Sequence, residues 1–206
     1  MNCAFGSQSP DKIVPQIEEK LKKELGHSAP LAYQVEDRGA EKGVGAVLKD
    51  VAANLFGGKE SLLFTIHFQV VQPRPFDLDV HVGRQGVGAH VGSLVYSAKL
   101  SKAVAAEVSL EDPKTFGKSK FTGDPAAVEK LNAKSDVLKT ANTLARTEGE
   151  VGGLKITIKR LCKILPQGGA SLLVVQTIPR MTSMGFSCSL DAKEFCDAAS
   201  LVESAL

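Results

Sequence analysis

Three of the four histidines, the only close carboxylate pattern and the densest glycine run share one stretch, Ser61 to Gly92, SLLFTIHFQVVQPRPFDLDVHVGRQGVGAHVG. Within it Asp77, Asp79 and His81 alternate with apolar residues. Side chains alternate along a strand, so these three point to one side, with same-face neighbours roughly 6.5–7 Å apart. One ion cannot easily collect all three. Asp79, His81 and a cross-strand His67 can converge on one, however, giving two imidazoles and a carboxylate, a ligand set suited to zinc or iron. Asp77 would then serve as base or outer support. The plainer reading is that the polar face of a hairpin meets water, where His–His and Gln–Asp pairs across strands need no ligand.

The elements that position these residues can be read around them. Phe64 to Gln72 has the apolar, β-branched character of a strand, and Phe76 to Val82 alternates apolar with polar. Pro73-Arg74-Pro75 separates them, and proline fixes φ and lacks an N–H. A hairpin pivoting on Arg74 pairs Gln72 with Phe76, Val70 with Leu78, Phe68 with Val80 and Ile66 with Val82 on an oily face. The other face pairs His67 with His81, Gln69 with Asp79 and Val71 with Asp77. This sorting into two faces is what fixes register in a one-sided sheet.

The run Gly83 to Gly92 raises a phosphate-binding loop. Such loops open a helix. Here the run leads into Leu94 to Leu100, which alternates as a strand, so a flexible turn is expected. Gly57-Gly58-Lys59-Glu60 fails as a nucleotide loop because Glu60 follows the lysine and the order is helix then strand.

The 206 residues form one domain by default, with 1–112 and 113–206 as possible subdomains. An apolar fraction of 43% supports a real core. A net charge of +2, no Trp and sparse aromatics argue against a nucleic-acid surface. No apolar run reaches a membrane-spanning length and no signal peptide is visible, so a cytoplasmic protein is expected. The alternative is an envelope-anchored lipoprotein with lipid on Cys3. Cys3, Cys162, Cys188 and Cys196 show no zinc spacing, which suits reduced structural thiols.

Along the chain, Ser9-Pro10 opens a helix with Ile13, Ile17, Leu21 and Leu25 on one stripe and Gly26 at its exit. Leu31 to Glu36 reads as a strand and 44–56 as a second helix. Residues 94–110 read as one strand or two, with a helix over 99–108 as the alternative. Asp124-Pro125 opens a third helix ending at Gly149. Leu154 to Ile158 and Leu172 to Ile178 read as strands. Asp191 and Glu194 form a capping box for the last helix. The order α-β-α-β-β-β-α-β-β-α is not strict alternation, and predicts an α+β fold with helices on one face of a largely antiparallel sheet.

No hydrolase elbow, zincin motif or nucleotide loop is present. The leading expectation is therefore a non-enzymatic binding or protein-interaction module with no cofactor. Its surface would be the open sheet face carrying His67, Gln69, Asp77, Asp79 and His81. Its partner is expected to be a protein, with a small molecule still open. The rival is a metal-dependent, hydrolytic enzyme in which His67, Asp79 and His81 hold zinc or iron.

Overall fold

The computed structural model describes residues 4–26, 32–37, 62–85, 88–111, 119–145, 148–151, 154–157, 161–181 and 188–206. It is an α+β protein built on a large antiparallel sheet. The first half supplies β1 (Ala4–Phe5), helix α1 (Pro10–Leu25), β2 (Ala32–Asp37), β3 (Leu62–Val70), β4 (Phe76–Gln85), β5 (Gly88–Leu100) and β6 (Val108–Glu111). There follow β7 (Lys120–Gly123), α2 (Pro125–Ala133), α3 (Ser135–Leu144), β8 (Glu148–Val151) and β9 (Leu154–Thr157). The chain closes with β10 (Leu161–Gln167), β11 (Ala170–Thr177), β12 (Arg180–Met181), β13 (Cys188–Ser189) and α4 (Ala192–Ala205). The main sheet runs β2-β3-β4-β5-β11-β10-β6-β7, with β1 added beside β5. Strands from either side of residue 112 thus alternate within one sheet. The pairs β8–β9 and β12–β13 stand apart.

Alternation builds the inner face. Ile66, Phe68, Val70, Phe76, Leu78, Val80, Leu94, Tyr96, Leu173 and Val175 all point inward and are buried. Helix α1 brings the predicted stripe of Ile13, Ile17 and Leu21 to the same core, and α4 brings Phe195, Ala199 and Val202. Phe195 stacks on Tyr96 at 4.7 Å and meets Phe76 edge-on at 5.4 Å. The Tyr96 hydroxyl donates to the Leu190 carbonyl, which anchors the chain just before α4.

Several expectations need correction. The hairpin is real, but Val70 pairs with Phe76, Phe68 with Leu78 and Ile66 with Val80, a two-residue shift of partners that centres the hairpin on Pro73 instead of Arg74. A three-residue loop of Pro73-Arg74-Pro75 would need a left-handed residue at its end, which proline cannot supply. Val71 and Gln72 therefore join the loop, and Val71 is 72% exposed. Arg74 secures the loop, pairing with Glu203 of α4 at 2.6 Å and donating to the Lys99 carbonyl.

The glycine run is mostly strand, since β4 reaches Gln85 and β5 begins at Gly88, and the turn expected in it is confined to 86–87, which lie outside the described residues. A Cβ on Gly88 would lie 2.0 Å from the Phe5 carbonyl oxygen, so glycine is required for β1 to approach. Between Leu100 and Val108 there is no helix.

Helix α2 stops at Ala133, and α3 starts anew at Ser135. The Asn132 side chain bonds both the amide and the carbonyl of Phe121, each at 2.9 Å, tying the end of α2 to β7. Gly149 lies in β8 rather than ending a helix. Asp124 caps α2 as expected, accepting from Ala127 N, and its other oxygen accepts from Ala105 N and Ala106 N. Those amides hold its pKa below the usual carboxylate range.

Asp191 does not cap α4 with its side chain. Glu24 of α1 does so instead, accepting from Leu190 N at 2.7 Å and Ala192 N at 3.0 Å. A carboxylate at a helix N-terminus is electrostatically favoured, and here it also locks two helices together. The helix expected at 44–56 and the proposed lipid site Cys3 lie outside the described residues. Among the described residues, no helix is long and apolar enough to cross a membrane.

Candidate functional site

The outer sheet face carries the side chains singled out by the sequence, in two sectors. The first spans β2, β3 and β4. His67 pairs directly with Asp79 in register, and its Nδ1 lies 2.7 Å from Asp79 Oδ1. Its Nε2 lies 3.2 Å from Glu36 Oε2 on β2. The alternation of β2 places Gln34 and Glu36 on this face, since Gln34 pairs with His67 and Glu36 with Thr65. The imidazole is thus clamped between two carboxylates from the two neighbouring strands. The hydrogen bond to Asp79 is the largest influence and raises the His67 pKa, against the opposing pull of partial burial.

Gln69 pairs with Asp77 at the end of this sector, and both side chains are exposed. The Asp77 carboxyl is pushed up first by desolvation and then by the charge of Asp79 two residues on. Asp77, Gln69 and Gln34 therefore form the part of this face that meets solvent.

The second sector corrects the expectation of a face open throughout. Thr65, His81, Ser93, Val95 and Gln176 are all buried, His81 at 5% exposure and Ser93 at 0%. His81 pairs with Thr65 on one side and Ser93 on the other. Its Nδ1 lies 3.0 Å from Thr65 Oγ1. Burial lowers its pKa to about 4, so the ring is neutral at ordinary pH.

The five predicted residues therefore share one face but not one centre. The structure brings His67 to Asp79 and Gln69 to Asp77, whereas His81 makes its hydrogen bond to Thr65. Both His67 nitrogens are engaged by carboxylates. Among the described residues, no group of three or more His, Cys, Asp or Glu is arranged to hold a metal ion. Cys162 and Cys196 are buried, and burial pushes the Cys196 thiol up to about 11, away from nucleophilic character. Sequence reasoning missed Glu36, Thr65, Ser93 and Gln176. Glu36 had a local signal in the alternation of β2. Ser93 could have been read from the β4–β5 hairpin, where it faces His81. Gln176 had no signal, because only the long-range β5–β11 pairing brings it beside Val95.

Fold and site together define a class: an antiparallel α+β protein whose described helices pack on one sheet face, with polar clusters on the other. The chain matches no protein-family model, no curated protein and no solved structure.

Proposed function

We propose that this chain is a non-enzymatic binding or protein-interaction module whose contact surface is the open sector of the outer face, centred on Gln69 and Asp77. The observation that carries the reading is the Glu36–His67–Asp79 clamp. It ties the most chemically capable residues of this face to one another and leaves Gln69 and Asp77 beside them as exposed polar groups without catalytic geometry. A raised carboxyl such as Asp77 gains from meeting a cationic or hydrogen-bonding group on a partner.

The test is a Gln69→Lys/Asp77→Lys double variant compared with the native chain for proteins that co-purify, with circular dichroism confirming an unchanged fold. A partner captured by the native chain and lost from the variant is the expected result. An identical partner set would sink the reading. Metal content measured on chelator-free protein beside a His67→Ala/His81→Ala variant covers the rival. Near-stoichiometric zinc or iron that disappears in the variant would replace the docking reading with a metal-dependent one.

A further inference from the structure

The buried sector of the outer face holds polar atoms that the fold itself does not satisfy. Among the described residues, His81 Nε2, Ser93 Oγ, and both Gln176 Nε2 and Gln176 Oε1 are buried without a hydrogen-bond partner. Native interiors pair such atoms almost without exception, because each one left open retains its full desolvation cost. Four open atoms in one neighbourhood therefore call for an explanation.

They are neighbours by register. His81 and Ser93 face each other across β4 and β5. Gln176 of β11 pairs with Val95, two residues from Ser93 and on the same side of β5. The β4–β5 register shifts immediately after His81, the kind of irregularity by which strands re-aim a side chain. Thr65 holds the ring through Nδ1, which leaves the buried Nε2 without a partner.

We propose that this sector is a binding site for one small uncharged molecule carrying both a hydrogen-bond donor and an acceptor, of the primary-amide class. Gln176 offers one donor and one acceptor, the complement of another amide, while Ser93 and His81 supply two further bonds. Among the described residues no lysine or arginine belongs to the set, and the imidazole stays neutral because its pKa sits near 4, so a bound anion would lack a counter-charge there. Among the described residues no open carboxylate faces it either, because Asp79 is engaged by His67, so a cation gains nothing from them. The site is separate from the docking sector and stands without that reading.

The experiment uses the full chain with ¹⁵N-labelled histidine, titrated with acetamide and, as the charged shape-mate, acetate. The His81 ring signals should move saturably with acetamide and stay still with acetate, and the His67 signals should not move with either. Gln176→Met should weaken acetamide binding at least tenfold while leaving the melting temperature unchanged or higher, since it removes open polar atoms. Ser93→Ala gives the same reading by a smaller change. The proposal is overturned if acetamide leaves the His81 signals in place, or if Gln176→Met binds it as the native chain does. A lower melting temperature in both variants would also overturn it, by showing that these groups are already satisfied by ordered water alone.

Discussion

Two histidines lie two positions apart on the outer side of one hairpin register, His67 opposite Asp79 and His81 opposite Thr65, and they are driven in opposite directions. His67 is 36% exposed and bonded to two carboxylates, which favour its cation. His81 is 5% exposed and bonded to a hydroxyl, and burial favours its neutral form. Residue type is the same and strand geometry is the same. What differs is depth in the sheet: β2 is an edge strand whose Glu36 reaches His67, whereas His81 is flanked by Thr65 and Ser93. The comparison teaches that a polar stripe along a strand is not one environment, and that a site read along a stripe must be divided by its neighbours across the sheet.

The largest way to break the comparison is acid. Between pH 6.5 and about 4 an unfolded His81 binds a proton that the folded one refuses. The unfolded state therefore binds more protons there, and stability rises with pH through this window. A displacement of that size corresponds to on the order of 3 kcal/mol, lost as pH falls from 6.5 to 4. Urea unfolding at stepped pH should show this loss in the native chain and a much flatter profile in His81→Phe. Equal slopes in the two proteins would mean that the buried ring is not excluded from protonation.

His67 has the opposite sign. Its raised pKa means that the clamp stabilises fully below pH 6.5 and fades as pH rises through the folded value. Because the side chain is about a third exposed, solvent screening keeps the contribution below about 1 kcal/mol. Asp79→Asn removes the dominant hydrogen-bonded charge. The His67 titration followed by NMR should move down in this variant, and the stability loss should vanish in high salt. The His81 effect, arising from desolvation, should survive the same salt. If salt abolished both, the two rings would share one environment and the division of the face would fail.

How much of this was legible follows from parity. The alternation assigns the side chains of 64–70 and 76–82 to their correct faces, because a slip of two residues preserves parity, whereas Val71 and Gln72 leave the strands for the loop. The partners are another matter. Pairing His67 with His81 requires a three-residue loop that two prolines forbid, and moving the register by two replaces His–His with His67–Asp79 and Thr65–His81. The α1 stripe and the Asp124 cap were local signals and read correctly. The capping of α4 by Glu24 was not local: it joins residues more than 160 positions apart, so no spacing rule near Asp191 could announce it. Strand β10 has no clean signal, because Pro166-Gln167-Gly168-Gly169 is turn chemistry; the strand runs into that turn, with Pro166 at its end opposite Ser171. The buried polar sector rests on the β5–β11 pairing, a contact between distant segments that only the assembled sheet creates.

The smallest effect sharpens the comparison most, because it asks whether the open sector is needed by the fold at all. Asp77 has a raised carboxyl pKa, from desolvation and then from Asp79. A raised carboxyl makes the folded state the better proton binder, so this group costs stability once pH exceeds its folded pKa and costs nothing well below the ordinary carboxylate value. Asp77→Asn should therefore gain stability near pH 7, by only ~0.3 kcal/mol because the side chain is exposed. The gain should disappear near pH 3, where the native carboxyl is protonated as well. Denaturant midpoints at the two pH values measure this directly. A loss at pH 7 would show that the Asp77 charge supports the fold, so that its exposure reflects structure. A small gain would show that the fold tolerates Asp77 at a cost, and an exposed charge that the fold does not need is what a partner-facing residue requires.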